Sequence, residues 1–213
     1  MTGYVGDVAA MARKDLLLEF RARDTLPAML LFVVAALVIF HFALPSGAGR
    51  LAGLGLLWVA IVFTALLGLS RAFVAEREQG VLDGLVLAPS DRSAIWLGKT
   101  IAAFAFLALS EVVALPLFAL FFSGIHGATV AGVVLADIGI CAVGVFVAAM
   151  AVATRARELL LPVLFLPLAI PVIVGGVGAS VTGSPGRYLA FLALYDALFA
   201  TICWASFEYV VTE

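Results

Sequence analysis

Six stretches, Leu26 to Leu44, Leu51 to Ser70, Thr100 to Phe122, Thr129 to Ala153, Leu159 to Val181 and Tyr188 to Val211, are dominated by apolar side chains and contain no Lys or Arg. A helix of about 20 residues crosses the ~30 Å hydrocarbon core of a bilayer, so each stretch predicts one transmembrane helix. Period-two alternation is absent, and the runs are about twice the length of a barrel strand, which excludes a transmembrane β-barrel. The expected fold is therefore an all-α membrane protein. It forms a single transmembrane domain: residues 1–25 at the membrane surface, 26–70 as spans one and two, 71–99 as a long polar connection, and 100–211 as spans three to six. With 65% hydrophobic and 12% charged residues among 213, no separate soluble domain fits. The net charge of −2, with 12 Lys and Arg spread along the chain, leaves no electrostatic footprint for nucleic acid. Cys141 and Cys203 fall inside apolar runs without metal-ligand spacing and read as buried small hydrophobes.

Orientation follows from the positive charges, because Lys and Arg are retained on the cytoplasmic side. Arg13, Lys14, Arg21, Arg23, Arg71, Arg77, Arg92, Lys99, Arg155 and Arg157 share one side, whereas Arg50 and Arg187 lie on the other. Both termini are thus expected in the cytoplasm. The segment before the first span carries acidic as well as basic residues, unlike a cleaved signal, so that span is expected to be retained. Within residues 1–25, Val5, Val8, Ala9, Ala12, Leu16 and Phe20 recur at three-or-four spacing opposite Asp7, Lys14 and Arg21, which predicts an amphipathic helix on the membrane surface. Asp15 and Glu19 intrude near its apolar edge.

The connection from Arg71 to Lys99 is far longer than a joining loop requires. Glu76, Arg77 and Glu78 form a charged cluster at a helix exit. Gly80 and Gly84 permit turning, Leu82, Leu85 and Leu87 supply an apolar edge, and Pro89 stops a helix before Ser90 or Asp91 caps the next. The expectation is a short helix along the cytoplasmic face that receives force from a soluble partner. The pattern E-R-E-x-G-x-L-x-x-L-x-L-x-P, followed by Gly98-Lys99, resembles the coupling segment of membrane subunits in the ABC exporter superfamily. That resemblance assigns contact with an ATP-binding subunit to Glu76, Glu78, Gly80, Leu82, Leu85, Pro89 and Lys99. Glu76 and Glu78 would face basic groups of the partner. No G-x-x-x-x-G-K-[S/T] loop occurs, so the chain is not expected to be an enzyme by itself, and ATP is expected on the partner. Gly98-Lys99-Thr100 lacks the upstream glycine of such a loop and leads into a span, so Lys99 reads as an interfacial anchor.

In the fifth span, Pro162, Pro167 and Pro171 each remove a backbone hydrogen bond, which predicts a kinked helix that gates or lines a cavity. Together with K-D-L-L-L-E-F-R-x-R from Lys14 to Arg23, six spans and minimal outer loops, this stretch resembles the heme exporter protein B family, over nearly the whole chain. The resemblance implies the bacterial inner membrane and a dimer of this subunit joined to two ATP-binding subunits. It also implies partnership with a heme-handling membrane protein and the periplasmic heme chaperone of cytochrome c maturation. Heme is then possible cargo, with no cofactor held by this chain itself. His41 and His126, near the outer side, are candidate ligands for heme iron, and Arg50 and Arg187 are candidate propionate partners.

Glu111, Asp137 and Asp196 lie within spans that hold no basic residue and must be protonated, hydrogen-bonded or water-facing. A proton relay and simple interhelical hydrogen bonding both account for them. Two alternatives therefore stand beside heme handling: an ABC permease for another cargo such as a lipid or drug, and a proton-coupled secondary carrier.

Overall fold

A computed structural model describes residues 3–45, 49–74, 76, 80, 91–122, 125–152, 154 and 157–212. Its elements there are seven α-helices: α1 (Tyr4–Ala22), α2 (Thr25–Ala43), α3 (Gly49–Arg71), α4 (Arg92–Phe122), α5 (Gly127–Val152), α6 (Arg157–Val181) and α7 (Pro185–Thr212). All but α1 are long and apolar enough to cross a membrane, as the hydropathy of the sequence requires. The chain is a multi-pass membrane protein.

The most buried helix, α5, packs against both α6 and α7, and α3 sits against α2, α4, α6 and α5. Trp58, Phe118, Phe165 and Phe207 fill the centre with side chains that expose almost nothing. Small residues set the approach of the helices, since backbones close only where no side chain intervenes. A methyl group built on Gly98 would lie 2.6 Å from Met11 Cβ and 3.0 Å from the carbonyl of Val8, so α1 rests directly on the first turns of α4.

Three features bear on the expectation. The helix of the third span begins at Arg92, ahead of its apolar stretch from Thr100, where the expected cap at Ser90 or Asp91 puts it. Asp91 caps it, accepting from the backbone N–H of Ser93 at 2.9 Å and from the Ser93 hydroxyl at 2.8 Å. At 31 residues α4 is about 46 Å long, well beyond the hydrocarbon core, so its first turns can run past the lipid. Second, the prolines of the fifth span do not break it. Pro162, Pro167 and Pro171 lie inside one continuous α6, Pro167 exposed and the others half-buried. The Tyr195 hydroxyl of α7 donates to the Leu168 carbonyl at 2.8 Å, tying α6 to α7 in the turn between Pro167 and Pro171. Third, α1 presents Val8 and Ala12 to the protein while Val5, Leu17 and Phe20 stay exposed, so the face that docks is narrower than the apolar stripe and includes Asp15.

Candidate functional site

Where α1, the end of α3 and the start of α4 converge, four charged side chains close a ring. Lys14 pairs with Asp15 Oδ1 at 3.0 Å and donates to Glu76 Oε1. Lys99 pairs with Asp15 Oδ2 at 3.0 Å and Glu76 Oε1 at 2.8 Å. Each carboxylate thus bridges both ammonium groups, and the ring is neutral. Lys99 spends its third N–H on the Ala72 carbonyl at 2.7 Å and lies 4.5 Å over the Phe73 ring. Its side chain is only 2% exposed and that of Glu76 5%, a burial that stays tolerable only with charges paired and donors satisfied. Burial would push the Glu76 carboxyl up, but the Lys99 charge and the hydrogen bonds from Lys14 and Lys99 outweigh it and hold it below its ordinary value. Burial likewise disfavours the Lys14 ammonium, yet its hydrogen bond to Glu76 and the Asp15 charge raise it above its ordinary value.

In this arrangement Lys99 is an interior cation, brought under α1 by the first turns of α4, and Glu76 Oε1 is held by two lysines of its own chain. Asp15, which looked like an intrusion on an apolar face, is the acid that α1 contributes. The signal was present in the spacing: Val8, Ala12, Asp15 and Glu19 follow one another at four, three and four residues, a single helical stripe. Glu19 on that stripe accepts from the N–H groups of Thr25 and Leu26 at 2.6 and 2.8 Å, fixing the turn between α1 and α2.

Beside the ring lies a cavity of about 300 Å³ between α1, α2, α3 and α4, with Cys141 of α5 also on its wall. Asp15, Glu19, Asp24, Arg71, Glu76 and Lys99 line its charged part; Met29, Leu69, Ala103, Phe106 and Leu107 line its apolar part. Pro162, Pro167 and Pro171 are not among the residues that line this cavity.

Of the remaining predicted residues, Gly80 is exposed in a turn with φ of +64°, a conformation that favours glycine. Glu78, Leu82, Leu85 and Pro89, and with them the expected coupling helix, lie outside the described residues, as does the side chain of Arg50. His41 is exposed at the end of α2 farthest from the ring, its imidazole stacked on Phe121 at 4.6 Å and edge-on to Phe122. His126 and Arg187 are exposed near the same end of the bundle. No group of three His, Cys, Asp or Glu suited to a metal ion occurs among the described residues. Within the spans, the Glu111 and Asp137 carboxyls interact with one another across α4 and α5, and Cys141 lies close to both. Asp196 is apart from them, against Gly139, and neither of its carboxyl oxygens has a hydrogen-bond partner among the described residues. The structure therefore brings together two of the three intramembrane acids. Sequence reasoning missed Glu208, on α7, which pairs with Arg92 at 3.0 Å and ties the chain's last helix to the start of α4.

Comparison with known proteins finds relatives over almost the whole length of the chain. The family described as CcmB protein matches residues 7–209. Heme exporter protein B of Pseudomonas aeruginosa is 33% identical over 202 residues, covering 90% of each chain. Heme exporter protein B of Rhodobacter capsulatus is 31% identical, covering 83% of this chain and 84% of its own. That of Bradyrhizobium diazoefficiens is 29% identical over 81% and 80%. The match takes in α1, all six spans and the residues of the charged ring, and on this ground the chain belongs to the CcmB protein family.

Proposed function

We propose that this chain is the membrane subunit of an ATP-driven ABC transporter complex for cytochrome c maturation, acting in heme export or in release of the heme-loaded periplasmic chaperone. Its relatives' name supports the heme assignment. In this reading the protein sits in the bacterial inner membrane with both termini cytoplasmic, as a dimer with two ATP-binding subunits. ATP is hydrolysed on those partners.

The observation that carries the coupling role is the placement of Glu76. It opens the E-R-E-x-G pattern and is bound through Lys99 to α4 and through Lys14 to α1. A force on the segment that follows is thereby delivered to α1 and α4 together, because separating Glu76 from its lysines would leave charges buried and unpaired. Gly80, with its left-handed backbone, turns the chain just beyond this clamp, and Glu78, Leu82, Leu85 and Pro89 shape the contact with the ATP-binding subunit. His41, His126, Arg50 and Arg187 would meet heme or its chaperone on the opposite side.

The test is a heme-stained gel of c-type cytochromes from a strain lacking this chain, complemented with wild type or with Gly80→Pro. Wild type restores staining, whereas the variant inserts into the membrane without restoring it. Normal staining in the absence of the chain, with no second copy present, leaves an ABC permease for another cargo as the better reading. A proton-coupled carrier draws on one specific observation, the pairing of Glu111 with Asp137 inside the bundle. It would work without any ATP-binding subunit, and deletion of that partner separates the two.

A further inference from the structure

The cavity beside the charged ring has the shape and polarity of a site for an amphiphile. Along α4 its wall runs from Lys99 to Leu107, about 12 Å at helical rise and most of the ~15 Å half-thickness of a hydrocarbon core. Met29, Ala65, Leu69, Ala103 and Phe106 line it, as do Leu18 and Ala22 of α1, both exposed.

The charges at the mouth divide into two groups. Asp15, Glu76 and Lys99 are consumed in the ring, and Glu19 caps α2. Arg71 and Asp24 remain, exposed and without an ion-pair partner among the described residues. One cation and one anion at the mouth of an apolar slot match a zwitterionic headgroup, a phosphate that takes the guanidinium and an ammonium that takes the carboxylate. Heme, with two carboxylates, fits this mouth poorly, since three further acids line the same rim.

We propose that the cavity between α1, α2, α3 and α4 binds one chain of a zwitterionic aminophospholipid, with its phosphate on Arg71 and its ammonium on Asp24. A lipid seated there would pack under α1 against the ring and join the surface helix to the surrounding leaflet. The proposal is independent of the cargo.

The test uses the full chain in vesicles of equimolar phosphatidylethanolamine and phosphatidylglycerol, extracted in mild detergent and read by native mass spectrometry. Wild type should retain one phosphatidylethanolamine per chain in preference to phosphatidylglycerol. Ala103→Phe, which fills the slot, should abolish that retention. Arg71→Gln and Asp24→Asn, surface changes that leave the fold alone, should each weaken it about tenfold, the loss of one charge-assisted contact. Arg13→Gln, at an exposed cation that does not line the cavity, should leave it unchanged. Equal retention of both lipids by wild type overturns the proposal, as does undiminished phosphatidylethanolamine on both Arg71→Gln and Asp24→Asn even where Ala103→Phe fails to fold. A heme absorption band that Ala103→Phe or Arg71→Gln abolishes overturns it too, by giving the cavity a different occupant.

Discussion

Replacing Lys99 by Met tests the central reading of this structure. Methionine keeps most of the length of the side chain and removes only the charge. What is lost is two ion pairs, to Asp15 Oδ2 at 3.0 Å and Glu76 Oε1 at 2.8 Å, and the hydrogen bond to Ala72 O at 2.7 Å. The greater cost lies in what is left: Glu76, 5% exposed, and Asp15, 15% exposed, with Lys14 alone to neutralise both. Removing one partner of a buried ion pair costs about 3–5 kcal/mol. For a chain of this length each kcal/mol moves the midpoint of thermal unfolding by about 2–4 °C, so the expected loss is about 6–20 °C. The assay is thermal unfolding of detergent-purified protein, followed by loss of the monodisperse peak. Adding Glu76→Gln to Lys99→Met removes the orphaned charge, and the double variant should be less damaged than the two single changes summed, by about 1–3 kcal/mol. Lys99→Met no more harmful than Arg187→Gln at the exposed far end, or strict additivity with Glu76→Gln, would falsify the ring as a coupled unit.

Other consequences follow from single contacts. Glu19→Ala should cost about 1 kcal/mol and speed amide exchange at Thr25 and Leu26, whose N–H groups it holds. Gly98→Val should lift α1 from α4, since even a methyl there meets Met11 and the Val8 carbonyl; protease cleavage between α1 and α2 should rise while the six spans persist. The ring also sets a pH window. The Glu76 carboxyl is lowered from its ordinary 4.5, so its stabilisation is complete above that value and fades as pH falls through its folded value; Lys14 is raised from 10.5, so its share is complete below that and fades as pH rises. Glu76→Gln should flatten the acid limb of a stability profile, and an unchanged limb would contradict the assignment. Tyr195→Phe should cost about 1 kcal/mol through the lost bond to Leu168 O.

The number of spans was legible because a bilayer imposes a length, and an apolar run of that length has no other stable disposition. The cap at Asp91 was equally readable, since Asp before a helix acts on its own next turn. With that cap the start of α4 at Arg92 was legible too, ahead of the apolar stretch, because hydropathy marks only where a helix enters lipid. The prolines of α6 each remove one local bond, and the helix nonetheless runs on continuously past all three, because a helix survives the loss of single bonds when its other turns stay paired.

Sequence by itself determined the all-helical membrane fold, the amphipathic first helix and the long segment between the second and third spans, because each follows from interactions within a few residues or with solvent and lipid. Only tertiary structure decided that Lys14, Asp15, Glu76 and Lys99 form one neutral ring. Glu76 is 62 residues from Lys14 and 23 from Lys99, and no local rule pairs charges across such distances. Burial decides it: once α1 lies on α4 and excludes water, each of these charges must find the others or leave the interior.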